Sequence, residues 1–189
     1  MGHELAHVRK RHMLWLAVSV VAAGVALIAA LDPVVSALRE MAVDAGGSFE
    51  LISQRVQWID LGASSVVLVG SLLIFGWISR RFERQADAFA AVELSKEVAG
   101  EMDVVQAFGA ESMRSALESV TRLNGVPASR WSWRHGSIAG RQKALQKLVG
   151  IRSNAIPINR LVQVINSVSM AILVLALIVW VQTMNGGGS

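Results

Sequence analysis

Three long segments of the chain contain no charged residue. They cover residues 13–31, 61–79 and 161–184. A helix needs about 20 mainly apolar residues to cross the roughly 30 Å hydrocarbon core of a bilayer, so each segment is long enough to do so. The mean hydropathy of the whole chain, +0.47, is also far above that of an ordinary soluble domain. The sequence therefore predicts an all-α membrane protein with three transmembrane helices.

The distribution of basic residues predicts how these helices are oriented. Of 18 lysines and arginines, 3 precede the first apolar segment, 13 lie in residues 80–160, and only Arg39 and Arg55 lie in residues 32–60. Cytoplasmic segments carry an excess of Lys and Arg. We therefore expect the N-terminus and residues 80–160 on the cytoplasmic side of the membrane, and residues 32–60 and the C-terminus on the outer side. We expect that membrane to be a bacterial inner or plasma membrane. Because topology explains the net charge of +4, we expect no nucleic-acid partner.

The segments between the apolar stretches are predicted to be helical as well. Residues 32–60 have the pattern of two short amphipathic helices, near 34–43 and 49–59, separated by Gly46 and Gly47. In the cytoplasmic part, helices are expected over 80–98, near 111–123 and near 137–149, with no sheet. The predicted order is a motif helix (1–12), transmembrane helix 1 (13–31), an outer loop (32–60), transmembrane helix 2 (61–79), a cytoplasmic helical part (80–160), transmembrane helix 3 (161–184) and a flexible tail (185–189).

The pentapeptide HELAH at residues 3–7 has the pattern of a zinc-binding helix. His3 and His7 are four residues apart, so both imidazoles leave one face of a helix and can bind one metal ion. Glu4 is placed to act as a general base towards water. The same pattern arises by chance in roughly one chain in a few hundred of this length, so a third ligand is needed. The chain has no cysteine, which excludes thiolate ligands.

The best candidates for a third ligand lie in the segment SRRFERQADAF at residues 79–89. Glu83 and Asp87 are four residues apart on one helical face, where two acids repel each other and favour a nearby cation. The neighbouring arginines leave a solvated face of mixed charge as the alternative. Transmembrane helices 1 and 2 would carry the chain out and back, so that Glu83 emerges on the same side of the membrane as His3 and His7.

The ordered combination of these motifs resembles the HtpX-like and CAAX-prenyl-endopeptidase-like family of membrane-embedded zinc metallopeptidases. That family has H-E-x-x-H, a hairpin of two membrane spans and then E-x-x-x-D, as in ERQAD at 83–87. The segment WRHGSIAGR at 133–141 resembles a later family segment, in which an arginine follows a histidine by six residues. The resemblance covers about residues 2–150.

The resemblance implies a zinc metalloendopeptidase with a gluzincin-like cytoplasmic subdomain. Zinc would be the cofactor, with His3, His7 and Glu83 as its ligands, and Glu4 would activate water. The substrate would be a polypeptide, most readily a membrane-associated one, cleaved at the cytoplasmic face. The lipid bilayer is the other partner that it implies.

The resemblance also implies roles for three further residues. Asp87 would orient a zinc ligand by hydrogen bonding, His135 would stabilise the developing oxyanion, and Arg141 would pair with an active-site carboxylate. Simpler readings remain open, because a lone histidine in a polar loop is commonly just solvated and Arg141 lies in a basic helix with Lys143 and Lys147. His12, beside the membrane interface, is interpreted as a structural residue.

Only Met1 and Gly2 precede His3, whereas the family has a membrane segment and a strand before its zinc helix. We therefore interpret the chain as an N-terminally truncated member. The alternative function is a non-catalytic membrane interaction module.

The predicted topology can be tested by cysteine labelling. The chain has no native cysteine, so single cysteines at Ser48 and Ser119 report without background. They should react with an impermeant maleimide from opposite sides of the membrane. Labelling of both positions from one side would remove the argument that places Glu83 beside the HELAH helix.

Overall fold

The structure, a computed structural model, describes residues 2–99 and 104–186. Part of the predicted flexible tail, residues 187–189, and residues 100–103 of the predicted cytoplasmic part lie outside this range. Over the described residues the chain forms α-helices and one 3₁₀ turn, Ser153–Ala155, without a β-strand. The helices are α1 (Gly2–Arg9), α2 (His12–Asp44), α3 (Phe49–Ala99), α4 (Ala107–Asn124), α5 (Ile138–Gln146) and α6 (Pro157–Gly186).

The prediction of an all-helical chain with three long apolar helices is confirmed for the described residues. Helices α2, α3 and α6 are each long and apolar enough to cross a membrane. Each contains one of the three charge-free segments. The expected helices of residues 80–160 are also present, although α4 begins at Ala107, earlier than the sequence indicated, and α5 ends sooner, at Gln146.

Two helices are longer than the sequence indicated. The segments near 34–43 and 49–59 are helical, but they are continuous with the apolar segments and do not form separate short helices. Helix α2 passes through Pro33. A proline removes one backbone donor and its ring opposes the carbonyl four residues earlier, so a proline within a helix is unfavourable. The structure nevertheless has one continuous α-helix through Asp32 and Pro33.

The chain divides into two compact units. The first, which we call the motif unit, comprises residues 1–17 and 75–167, and the second, the apolar unit, comprises residues 18–74 and 168–189. In the apolar unit α2 approaches α3 closely, since a Cβ atom on Gly70 would lie 2.9 Å from Leu27 Cδ1. Ser169 on α6 donates a hydrogen bond to Ser19 on α2, with the two Oγ atoms 3.1 Å apart. Many large apolar side chains of this unit are exposed, among them Leu68 and Leu73.

The motif unit has a core made mainly from small residues on α3 and from larger residues on α4, on α5 and in the segments beside the helices. Its buried residues are Ala88, Ala90, Ala91, Val92, Val105, Ala110, Met113, Leu117, Leu145 and Ile156. Gly109 of α4 lies so close to α3 that a Cβ atom there would overlap the Ala91 carbonyl and the Ser95 hydroxyl. Ser95 Oγ donates to the Ala91 carbonyl and accepts from the Gln106 amide, 2.9 Å away. This packing fixes the part of α3 that follows Glu83 and Asp87.

A sharp turn separates α1 from α2. The sequence predicted a motif helix over residues 1–12, but the helix ends at Arg9 and a new one begins at His12. Arg11 has a φ of +52°, in the left-handed region. An L-residue other than glycine costs about 1–2 kcal/mol there, and no sequence periodicity indicates such a turn.

The cost of this turn can be measured with two charge-matched substitutions. Arg11→Gly removes the steric penalty, so it should leave the free energy of unfolding unchanged or raise it by up to about 1 kcal/mol. Lys10→Gly removes the same charge from the same turn without relieving a positive φ, and should cost a few tenths to about 1 kcal/mol. Thermal unfolding of the detergent-solubilised chain compares them. Equal effects of the two substitutions would contradict a strained Arg11.

Candidate metal centre

His3, His7 and Glu83 converge in the motif unit. The Nε2 atoms of the two histidines are 3.3 Å apart. Glu83 Oε2 lies 3.6 Å from His3 Nε2, and Glu83 Oε1 lies 3.8 Å from His7 Nε2. One ligand atom from each residue lies within 4.8 Å of the other two. The structure therefore brings the HELAH helix and the acidic segment of α3 together at one point.

Close packing of α1 on α3 produces this convergence. A Cβ atom on Gly2 would lie 3.5 Å from Ala90, and Ala6 is completely buried. Small residues on both helices therefore let their backbones approach. His3 and His7, one turn apart on α1, then face Glu83, which is only 7% exposed.

The three residues fit a zinc ion. Two imidazole nitrogens and one carboxylate are the ligands of many catalytic zinc sites, which keep a fourth position open. Ligands held at 2.0–2.1 Å in a tetrahedral arrangement lie about 3.3–3.4 Å from one another. The separation of 3.3 Å between the two Nε2 atoms matches that spacing, and the distances to Glu83 are only a few tenths of an ångström longer.

Arg141 lies beside both acids of α3. Its Nε and Nη2 donate to the two oxygens of Asp87 over 2.7 and 2.6 Å. Its Nη1 lies 3.1 Å from Glu83 Oε2. Helix α5 positions it, because the Ser137 hydroxyl accepts from the Gly140 amide and so begins the helix just before Arg141. One guanidinium thus holds two buried carboxylates that would otherwise repel each other.

The contact between Arg141 and Asp87 shifts the pKa values of both groups. Burial alone would raise the pKa of Asp87, which is 2% exposed, but the hydrogen bonds from Arg141 and the proximity of His3 hold that pKa below its ordinary value. Burial opposes the charge on Arg141, yet Asp87 and Glu83 raise the pKa of the guanidinium. Both groups are therefore charged at neutral pH.

Asp87 also lies behind His3. Its Oδ1 is 3.1 Å from His3 Nδ1, without the alignment of a hydrogen bond. The contact is with the ring nitrogen that faces away from His7. It leaves Nε2 directed towards the convergence point.

His135 approaches Glu83 from a tight turn. Its Nδ1 lies 3.0 Å from Glu83 Oε1, while its side chain is 49% exposed. The turn is closed by reciprocal backbone bonds between Ser132 and Gly136, and Gly136 has a φ of +74°. Arg80 Nη1 donates to the Trp133 carbonyl and anchors the turn to α3. His135 is therefore partly solvated, yet it contacts the site.

Glu4 differs from the residues of the candidate centre in its exposure to solvent. It is exposed on α1, next in sequence to His3, and among the described residues no hydrogen bond or ion pair to it is found. The pKa of His7 is lowered by burial, and the charge of Glu4 is among those that partly oppose this shift. The carboxylate is thus near the site and accessible to water.

The sequence indicated only a structural role for His12 and did not predict the polar contacts that lie behind His7. His12 is 2% exposed, and its Nδ1 lies 3.0 Å from His7 Nδ1. Its Nε2 lies 2.8 Å from Gln85 Oε1, and Gln85 Nε2 donates to Asn159 Oδ1 over 2.9 Å. Residues five apart do not share a face of a continuous helix, so the spacing of His7 and His12 gave no signal. The left-handed Arg11 makes the contact geometrically accessible.

The interaction between Arg141 and Asp87 can be tested against an exposed ion pair. Arg141→Leu leaves Asp87 buried and charged, and should lower the free energy of unfolding by about 3–5 kcal/mol. Arg114→Leu breaks the pair with exposed Glu111 and should cost less than about 1 kcal/mol. Thermal unfolding of both variants measures the difference. Losses of similar size would show that the buried pair does not hold α5 against α3.

Comparison with known proteins identifies the family. A model of peptidase family M48 matches residues 1–149, which is well over half of the chain. The match includes the HELAH helix, Glu83, Asp87, His135 and Arg141. Searches of curated proteins and of solved structures returned no match. The chain therefore belongs to peptidase family M48, a family of zinc metallopeptidases.

Proposed function

We propose that this chain is a membrane-embedded zinc metalloendopeptidase that hydrolyses peptide bonds of membrane-associated proteins. The observation that supports it most is the convergence of His3, His7 and Glu83 within a region that matches a peptidase family. These ligand types come from two helices that are distant in sequence and close in space. A chance HExxH pattern would have no reason to face a buried glutamate.

In this proposal His3, His7 and Glu83 hold zinc. When bound, zinc acts as a Lewis acid that polarises the scissile carbonyl and makes water more acidic. Arg141 and Asp87 orient the ligands, since Arg141 contacts Glu83 and Asp87 lies behind His3. Two carboxylates and one guanidinium leave one net negative charge at the centre, which favours a divalent cation.

Glu4 acts on water. Its carboxylate takes a proton as the water oxygen forms a bond to the carbonyl carbon of the substrate. It then delivers that proton to the amide nitrogen as the carbon–nitrogen bond breaks, so that a carboxylic acid and an amine are released. The exposure of Glu4 supports this role, because a general base must be reached by solvent and by the leaving group.

His135 donates a hydrogen bond to the oxyanion that develops on the carbonyl oxygen. Its half-exposed side chain next to Glu83 supports this role, since a donor for substrate has to face the open side of the centre. Its current contact with Glu83 Oε1 has to be exchanged for one with substrate.

The membrane part of the proposal is supported by the three long apolar helices and by the exposed apolar side chains of the apolar unit. In lipid such residues need no protein partner. The distribution of Lys and Arg favours a motif unit at the cytoplasmic face. A site there would act on proteins in or at the same membrane.

Two substitutions that make the same chemical change separate the base from the ligand. Glu4→Gln should abolish cleavage of a casein-like or membrane substrate while zinc remains bound, because Glu4 acts on water. Glu83→Gln should lose most of the bound zinc as well, because two histidines leave the ion under-coordinated. Zinc content and cleavage are measured on the same purified samples.

Each outcome separates the alternatives. If Glu83→Gln retains stoichiometric zinc and activity, the third ligand lies elsewhere. If the unaltered chain binds no zinc, the non-catalytic membrane interaction module becomes the better description.

A further inference from the structure

His12 lies directly behind His7, on the side away from Glu83. We propose that His12 is a positioning residue that holds His7 in its metal-binding tautomer, and that the backbone carbonyl of Ser153 sets this tautomer through Asn159, Gln85 and His12. The tautomer follows from the hydrogen-bond chain together with the burial of His12. Its effect on metal binding rests on the proposed zinc function.

The chain of hydrogen bonds begins at a group whose role is fixed. A backbone carbonyl can only accept, and Asn159 Nδ2 donates to the Ser153 carbonyl over 3.4 Å. The amide nitrogen of Asn159 therefore faces Ser153, and its Oδ1 faces Gln85. Gln85 Nε2 donates to that oxygen over 2.9 Å.

The orientation of Gln85 then sets the proton on His12. With its nitrogen directed at Asn159, Gln85 presents Oε1 to His12 Nε2, 2.8 Å away. An amide oxygen can only accept, so His12 Nε2 must carry a proton. His12 is 2% exposed and stacks on Phe82 with ring centroids 4.8 Å apart, surroundings that favour the neutral imidazole. A neutral ring protonated at Nε2 has a lone pair at Nδ1.

The last hydrogen bond of the chain determines the tautomer of His7. Its Nδ1 lies 3.0 Å from His12 Nδ1, which carries a lone pair, so the hydrogen bond requires a proton on His7 Nδ1. In the neutral ring, His7 Nε2 is then unprotonated, and it is this atom that lies 3.8 Å from Glu83 Oε1. A metal needs that lone pair, and the bond at the other ring nitrogen decides whether it is present.

The same contacts exclude the reverse direction of donation along this chain of hydrogen bonds. If Gln85 were reversed, its oxygen would face Asn159, which would have to present its nitrogen to Gln85 and its oxygen to the Ser153 carbonyl. Two acceptors would then face each other. Only one direction of the chain satisfies all of these groups, and it leaves His7 Nε2 available for a metal.

The first experiment reads the tautomer without any metal. Ring ¹⁵N shifts are recorded for the metal-free chain labelled at histidine, which contains only 4 histidines. His7 should be protonated at Nδ1. In His12→Phe, which keeps a ring stacked on Phe82 but has no acceptor, His7 should shift towards the tautomer protonated at Nε2. If His7 stays protonated at Nδ1 in that variant, the proposal is wrong.

The second experiment measures zinc affinity by competition with a chelator. His12→Phe should bind zinc about 10–100-fold more weakly, the usual loss when a partner behind a ligand is removed. His12→Asn supplies an amide oxygen near the former Nδ1 position and should stay within a few-fold of the unaltered chain. Equal weakening by both substitutions would indicate a purely structural role for the ring.

The remote part of the chain is tested with amide substitutions. Gln85→Leu should weaken zinc binding and shift the His7 tautomer, whereas Gln142→Leu removes a hydrogen bond to the Arg114 carbonyl and should change neither. Asn159→Leu removes the acceptor of Gln85 and the link to the Ser153 carbonyl, so it should weaken zinc binding and shift the His7 tautomer in the same direction as Gln85→Leu. If zinc binds nowhere in the unaltered chain, the proposed function fails, but the tautomer shifts still decide whether His12 positions His7.

Discussion

The structure depends on two carboxylates buried one turn apart on α3. Glu83 and Asp87 are almost inaccessible to solvent, and an unpaired buried charge is among the costliest features that a fold can contain. Arg141 satisfies both, with two bonds to Asp87 and a third contact to Glu83. Because these buried acids need a cationic partner, α5, which carries Arg141, packs on one side of α3. The histidines of α1 occupy another side.

The same pair of acids prepares the centre for a cation. Arg141 contacts both carboxylates, and His3 and His7 add ring nitrogens on the other side of Glu83. Three converging atoms, one each from His3, His7 and Glu83, could thus hold a metal ion. Asp87 and His12 each approach the far side of one histidine, so each imidazole has a polar neighbour behind it. The small residues of α1 and α3 make this density of polar groups sterically feasible.

Local patterns in the sequence were sufficient to predict most helices and to indicate three residues, His3, His7 and Glu83, that the structure brings together. Charge-free segments predicted the three apolar helices, and helical spacing placed His3 with His7 and Glu83 with Asp87. Features that depend on distant contacts were not predictable. Nothing local shows that α2 continues through Pro33, and the contact of His12 with Gln85 joins residues far apart in sequence. The roles of His135 and Arg141 remain predictions, although both side chains contact Glu83.

The left-handed residue Arg11 has a consequence for how the chain tolerates change. On an uninterrupted helix, His12 would be rotated by about 140° from His7, because each residue advances the helix by about 100°. Two residues, Lys10 and Arg11, absorb that difference in phase. Inserting or deleting a single residue between His7 and His12 would therefore misdirect His12, even though HELAH itself stayed intact. The length of this two-residue linker therefore determines the direction of the His12 side chain relative to His7.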